Sequence, residues 1–330
     1  MRIFLAGDHF TGTGPANVTD HYIENLPEGT LYQKMKSKVM RLFEIVIKTL
    51  RSDLVVYSGY SKQNIFGLGL AGRLKKPSAY IFHGCVEYEN AINLEPDEKM
   101  TKVERKTLEL ADLIICVSET FCRWAKEFYP MYAHKITFVT NGIDEPAGGG
   151  GDKERDPHMI LSVGGGMPRK KIIHICEAVD KLRRGYDDKL YLCIIGADGA
   201  DSGRIRSYPF VDDRGLVSVR EAYDLYRSAA LFVQNSCFET FGLAPLEALS
   251  AGCPILCSRH VGALSLIKGA GDCDVIERYD DPDEIAAKIK KILEDPNAGR
   301  LAGSVEWEKD SWKERSRELT GLLSGLILKR

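Results

Sequence analysis

Short, continuously apolar runs recur along the whole chain, separated by longer stretches with helical periodicity. Nine of them fall at 2–7, 53–58, 79–83, 112–117, 136–140, 159–163, 190–195, 230–234 and 255–258. An apolar run without alternation is the mark of a strand covered on both faces, as when helices pack on either side of a parallel sheet. Strands of this kind alternating with amphipathic helices predict an α/β, doubly wound architecture. The chain has 330 residues, enough for two domains at roughly 100–200 residues each. The pattern breaks at Pro146-Ala147-Gly148-Gly149-Gly150-Gly151-Asp152-Lys153, where four glycines beside charges cannot build a core element. This stretch reads as an interdomain linker with a sheet on each side, or as a long surface loop within one domain. The linker reading gives domains at 1–147 and 148–305. It leaves a helical pattern over 306–330 that carries Trp307, Trp312, Leu319, Leu322, Leu323 and Leu326 on one buried face.

Several classes of protein are disfavoured at this stage. At 44% hydrophobic and 28% charged residues, the chain has enough apolar surface to build cores and is neither disordered nor fibrous. A formal charge of −2 argues against a globally cationic nucleic-acid binder. The longest apolar runs, such as 113–117, are strand-length, far from the ~18–20 residues that span a bilayer. Residues 1–7 lack a long signal-peptide core and read as the first strand. Nine scattered cysteines, odd in number and without a C-x-x-C pair, argue against zinc or a disulfide framework and fit a reducing cytoplasm.

The most informative stretch is Ser236-Cys237-Phe238-Glu239-Thr240-Phe241-Gly242-Leu243-Ala244-Pro245-Leu246-Glu247-Ala248-Leu249-Ser250-Ala251-Gly252-Cys253-Pro254. It follows the strand at 230–234. Pro245 suits a first helical position, and a helix over about 245–251 would stop at Gly252 in the left-handed region. The exposed N–H groups where a helix begins favour an anion such as a pyrophosphate. Glu239 on the loop and Glu247 in the first turn would flank a crevice at the carboxyl edge of the sheet, where ligands bind in such folds. An acid in a first turn also stabilises the helix dipole with no ligand at all, so Glu247 has two readings.

These residues resemble the E-x7-E signature of glycosyltransferase family 4, the retaining family with the GT-B fold, in which two Rossmann-like domains face a cleft. The resemblance implies that Glu239 contacts the sugar of a nucleotide-sugar donor, with the backbone of Thr240, Phe241, Gly242 and Leu243 nearby. It implies that Glu247 binds the ribose hydroxyls. Other segments fit in the same order. Gly164-Gly165-Gly166-Met167-Pro168-Arg169-Lys170-Lys171 follows the strand at 159–163 and opens a helix. Glycines there would let the backbone approach phosphate, and a bound anion would offset cations at a helix start; a turn before a solvated basic helix is the alternative. Lys170 matches the family's phosphate-binding lysine. The family carries arginine where this chain has Gly165, and Arg169 is the candidate replacement. His83, at a strand end, matches a histidine that approaches the donor sugar, although core histidines are common. Gly12-Thr13-Gly14-Pro15-Ala16-Asn17 resembles the glycine loop near the donor phosphate, with Gly14 the best match. Asn141-Gly142-Ile143-Asp144 matches the family's N-G-[IV]-D, and the segments 196–199 and 215–218 match those near the base and nucleoside. The terminal segment fits a final helix that returns to the first, acceptor-side domain.

Other patterns have weaker claims. Gly67-Leu68-Gly69-Leu70-Ala71-Gly72 satisfies G-x-G-x-x-G but stands about eight residues past its strand, so helix packing is expected rather than a dinucleotide site. The Asp272/Asp274 and Asp281/Asp283 pairs read as surface turns, and no metal is implied. Between Leu31 and Lys76 there are ten Lys/Arg and two Asp/Glu. A helix over 31–51 would place Met35, Val39, Leu42, Val46 and Leu50 on one face, with Lys34, Lys38, Arg41 and Lys48 about 120° away. That is a core helix with a solvated side, or a contact for anionic headgroups or an anionic acceptor. Without interleaved aromatics it does not read as a nucleic-acid surface.

The expectation is therefore a retaining transferase moving a hexose-type sugar from a nucleotide-sugar, UDP- ahead of GDP-, to a saccharide or lipid-linked acceptor. Surface or wall polysaccharide synthesis at the inner face of the membrane is the implied setting. No cofactor beyond the donor is expected. Glu239, His83 and Lys170 are the candidate catalytic residues. Gly14, Gly165, Arg169, Lys170, Glu239, Thr240, Phe241, Gly242, Leu243 and Glu247 are the candidate donor-binding ones. A GT-B sugar-nucleotide epimerase is the alternative, and a nicotinamide oxidoreductase a remote one.

Overall fold

The computed structural model describes residues 1–7, 14–144 and 154–328. The chain divides into two units. One comprises Met1–Tyr88, Pro96–Asp144 and Glu308–Arg330; the other comprises Glu89–Glu95 and Glu145–Trp307. The glycine-rich stretch 146–153 lies outside the described residues, as do Gly12 and Thr13 of the first loop.

The first unit holds a six-stranded parallel sheet: β1 (Ile3–Gly7), β2 (Leu31–Tyr32), β3 (Leu54–Ser58), β4 (Ser78–Phe82), β5 (Leu113–Cys116) and β6 (Ile136–Phe138), in the order β2-β1-β3-β4-β5-β6. β1, β3 and β4 are buried along their whole length, which is why their sequences do not alternate. The second unit holds β7 (Asp156–Val163), β8 (Tyr191–Ile195), β9 (Val211–Gly215), β10 (Ala229–Gln234), β11 (Ile255–Ser258) and β12 (Val275–Ile276). Its order is β12-β11-β10-β7-β8-β9, again all parallel. Counted within the unit this is 3-2-1-4-5-6, the Rossmann order built from two mononucleotide-binding halves, with its topological switch point between β7 and β10. In the first sheet the order reverses between β1 and β3.

All nine expected strands form. The three that the sequence did not signal, β2, β9 and β12, are all edge strands. Edge strands need not be apolar on both faces, and β9 (Val-Asp-Asp-Arg-Gly) is mostly charged.

Two helical expectations change. The terminal helix runs Trp312–Leu328 rather than from 306, because Ser311 is extended and bridges Ile143. Within the first unit Trp312 stacks on His21 at 4.4 Å and meets Tyr22 edge-on. A Cβ on Gly142 would lie 2.4 Å from the Trp312 backbone, so Asn141-Gly142-Ile143-Asp144 has a packing role. The expected helix over 31–51 begins only at Lys38. Leu31 and Tyr32 pair with β1, and the Glu44 carboxylate accepts the N–H groups of Lys34 and Met35, each at 2.9 Å. The face expected to be core points outward: Met35, Val39, Leu42 and Leu50 are exposed and Val46 is half-buried, while Glu44, Ile45 and Thr49 are buried.

Gly67 lies mid-helix within Lys62–Arg73. A Cβ there would meet the Tyr57 hydroxyl at 1.8 Å, so the G-x-G-x-x-G pattern serves helix packing at that glycine. Asp274 is buried against Arg300 and Asn297, and Asp281 caps the helix Pro282–Glu294; both have structural partners.

Candidate functional site

The switch point of the second sheet brings two loops together. After β7 the chain passes through Gly164-Gly165-Gly166, a 3-10 turn Pro168–Lys170, and Lys171 in the left-handed region before the helix Ile172–Gly185. After β10 it passes through Asn235 and Ser236 to Glu239, then to the helix Ala244–Ser250. Gly165 has φ +55°, and a Cβ on it would lie 2.0 Å from the Ala197 carbonyl oxygen. The chain therefore has a conformational reason for glycine where the resembling family carries arginine: the backbones of the β7 and β8 loops touch there.

Lys170 Nζ forms an ion pair with Glu239 Oε2. Arg169 NH1 lies 3.3 Å from the same oxygen, and Gln234 Nε2 donates to it at 3.1 Å. Side-chain exposure is 11% for both Glu239 and Lys170 and 15% for Arg169, so the cluster is nearly dry. Burial alone would raise the Glu239 carboxyl; the Lys170 and Arg169 charges outweigh it and bring it down to about 2. Burial lowers Lys170, against the pull of Glu239. Gly242, at φ +81°, sits so close that a Cβ would meet Glu239 Cγ at 2.9 Å. The Glu239 backbone is pinned as well, its carbonyl accepting the Gly262 N–H at 3.2 Å. The carboxylate is thus held from three sides, with two cations aimed at it.

Sequence reasoning missed three members of this cluster, Glu89, Asn93 and Gln234. Glu89 Oε2 lies 3.6 Å from Arg169 Nε, and Asn93 Oδ1 accepts the Arg169 N–H at 3.2 Å. Gln234 ends β10 and Asn235, just after it, donates to the Lys171 and Tyr279 carbonyls; each has one buried oxygen without a hydrogen-bond partner among the described residues. A polar pair closing an otherwise apolar strand was the available signal for Gln234. The partnership of Glu89 and Asn93 with Arg169 is long-range and left no local trace.

The structure does not join all the sequence candidates. Glu247 accepts a hydrogen bond from the buried Tyr226 hydroxyl at 3.2 Å, a partner distinct from those of Glu239. Phe241 is buried, with its carbonyl accepting the Ala263 N–H, whereas Thr240 and Leu243 are half-buried. Gly196 and Gly215 occupy positive-φ turns joined by a 2.8 Å backbone hydrogen bond, and Ser218 caps the helix Val219–Ser228. Gly14 is the exposed first residue of the helix Gly14–Asn25, and a Cβ on it would meet nothing within 4 Å among the described residues.

The first unit carries its own candidate at its own switch point. His83 Nε2 lies 2.7 Å from Ser58 Oγ, Ser58 Oγ lies 2.7 Å from Thr19 Oγ1, and Thr19 donates to the Pro15 carbonyl at 2.9 Å. Each hydroxyl has one proton, and the carbonyl can only accept. Thr19 gives its proton to Pro15, so Ser58 donates to Thr19, and His83 donates Nε2–H to Ser58. Burial lowers the His83 pKa to about 4, so the ring is neutral near pH 7, with Nδ1 as its acceptor.

Two all-parallel six-stranded sheets, one in the Rossmann order with charged loops at its switch point, define a two-unit α/β protein of the Rossmann-like kind. Residues 4–145 match the family described as Glycosyltransferase Family 4, and residues 150–305 match Glycosyl transferases group 1. The chain is 30% identical to the O-antigen chain mannosyltransferase B of Escherichia coli, over 46% of this chain and 42% of that protein. It is 25% identical to the D-inositol 3-phosphate glycosyltransferase of Thermobispora bispora, over 76% of this chain and 65% of that protein. The chain thus spans less than two thirds of the length of either relative. Among solved structures it resembles the Anabaena protein HepE in complex with UDP-glucose, with a TM-score of 0.72 at 13% identity over 98% of this chain and all of that one. The chain belongs to the group 1, family 4 glycosyltransferases, and its fold is GT-B.

Proposed function

We propose that this protein is a retaining glycosyltransferase that moves a hexose-type sugar from a nucleotide-sugar, UDP- ahead of GDP-, to a saccharide or lipid-linked acceptor in surface or wall polysaccharide synthesis at the inner face of the membrane. The observation that carries the reading is the Lys170–Glu239–Arg169 cluster at the switch point of the second sheet. Support for UDP comes from the Anabaena neighbour, which was solved with UDP-glucose.

A diphosphate is the one part of such a donor able to compete with Glu239 for two nearly buried cations. Lys170 and Arg169 would take the phosphate charge that grows as the bond between the anomeric carbon and the phosphate oxygen breaks. That is electrostatic stabilisation, strongest in a dry site. Glu239, released in part, would accept hydrogen bonds from sugar hydroxyls, and Gln234, whose amide already touches it, carries a buried oxygen able to accept another. Glu247, steadied by Tyr226, would hold the ribose hydroxyls. The departing diphosphate would take the acceptor's proton, so Glu239 orients the sugar and is not a covalent nucleophile. His83 supplies a ring that stays neutral near pH 7, held through Nε2 by Ser58. No group beyond the donor is required by this scheme.

Thermal-shift titration with UDP-, GDP- and ADP-sugars tests it, because a ligand that binds only the native state raises the melting temperature. A UDP-sugar should give the largest shift, and Lys170→Ala and Glu247→Ala should each reduce it. Absence of any shift across the panel would refute the reading. Isomerisation of the donor without an acceptor would favour an epimerase instead.

A further inference from the structure

The helix Lys38–Arg51 is mounted with its apolar side to solvent. Val39, Met40, Leu42, Phe43, Ile47 and Leu50 are all exposed, from 37% at Leu42 to 62% at Val39 and Phe43. Elsewhere among the described residues, exposed large apolar side chains are not concentrated on one helix in this way. Single exposed apolar residues are ordinary; a contiguous stripe of six marks an interaction surface.

The orientation is enforced. On the inward side Glu44 binds the N–H groups of Lys34 and Met35 and pairs with Lys48, whose ammonium also donates to the Tyr32 carbonyl at 2.5 Å. Arg41 reaches Asn64 Oδ1 at 3.4 Å, and Ile45 packs against the helix Lys62–Arg73 near Gly67. Rolling the stripe inward would break each of these contacts.

Charge identifies what covers the stripe. Lys34, Lys36 and Lys38 are exposed at its leading end and Arg51 at its trailing end. The two acids of the segment are turned to internal use: Glu44 is clamped as above, and Asp53 accepts the Arg2 backbone N–H at 2.6 Å. An apolar stripe bracketed by cations complements an anionic lipid surface, with side chains entering the acyl boundary and ammonium groups at the headgroups. A second copy of the chain is a poorer match, since a two-fold contact would set the same cations against each other.

We propose that this helix docks the first unit on a membrane leaflet bearing anionic lipid. The inference deepens the reading of a membrane-borne acceptor and rests on it for its purpose, but its test needs neither donor nor acceptor. The whole protein is sedimented with vesicles of phosphatidylcholine alone and with an equimolar phosphatidylcholine–phosphatidylglycerol mixture. Binding should be at least about tenfold stronger to the anionic vesicles and should weaken with salt. Phe43→Asp combined with Ile47→Asp should lower it by about tenfold or more with an unchanged melting temperature. Should that pair disturb the fold, Phe43→Trp gives a second reading: emission shifts to the blue on anionic vesicles. The proposal is overturned if wild type ignores anionic vesicles, if the double variant binds as wild type does, if the Phe43→Trp emission stays unmoved, or if the face instead supports a concentration-dependent dimer. Failure here with intact UDP-sugar shifts would sink the docking surface alone; failure of those shifts with intact vesicle binding would sink the donor reading alone.

Discussion

The two sheets place different chemistry at the same topological spot. At the β7/β10 switch point three ionised side chains, Lys170, Arg169 and Glu239, meet in a nearly dry cluster. At the β1/β3 switch point Thr19, Ser58 and His83 form a neutral, one-way chain of hydrogen bonds. The charged cluster can exchange an internal partner for an anion of the same sign as Glu239. The neutral chain cannot neutralise an anion, but it fixes which nitrogen of His83 carries the proton. A parallel α/β unit thus offers a place for chemistry, and the loop residues decide its kind.

The sharpest way to break this comparison is to remove the charge at the centre of the second cluster. Glu239→Ala would strand Lys170, with little solvent around it, and leave Arg169 only Glu89 at 3.6 Å; stranding a buried charge costs about 3–5 kcal/mol. Urea unfolding should show a loss of that size. Lys170→Ala placed on top should recover part of it, since the stranded cation is removed. A cost for Glu239→Ala below about 1 kcal/mol, the range of exposed pairs, would mean that the cluster is solvated.

The same contrast explains what could be read from the sequence. Interior strands were legible because burial on both faces writes a continuous apolar run; β2, β9 and β12 were not, because an edge strand is under no such demand. Glu239, Lys170 and Arg169 were visible as types and spacings, and the fold brings them together. Their mutual ion pairing was not visible, nor was the part played by Glu89 and Asn93, because contacts across some seventy residues leave no periodicity behind. The helix Lys38–Arg51 inverted its expected burial. Periodicity reports that two faces differ, but Glu44 and its partners decide which one turns inward. Gly165 read as a departure from a family pattern; its positive φ and the Ala197 carbonyl supply the physical cause.

Breaking the neutral chain should cost less. Ser58→Ala leaves Thr19 bonded to Pro15 but removes the acceptor of His83 Nε2–H. A partly buried donor without its acceptor costs about 1–3 kcal/mol, measured against the larger loss for Glu239→Ala. The variant should also free the His83 ring to change tautomer, visible in its nitrogen NMR shifts. Unchanged ring shifts would show that Ser58 does not set the proton's position.

The smallest effect lies in the pH dependence, where the two regions should separate by window. His83 titrates near 4 in the folded protein against 6.5 for the free side chain. Between those values the unfolded chain binds the proton more readily, so the stability held above pH 6.5 is lost as pH falls towards 4. Glu239 titrates near 2 against 4.5; its contribution is complete above pH 4.5 and disappears as pH falls through 2. Melting temperature followed from pH 7 down to pH 2 should therefore fall in two stages. His83→Asn should shrink the stage between 6.5 and 4, leaving the share of His260, whose pKa burial also lowers, and should leave the lower stage, because asparagine has nothing to protonate. An unchanged upper stage in that variant would show that the ring is charged or solvated in the native state, and the claim of a neutral hydrogen-bond chain in the first unit would fall with it.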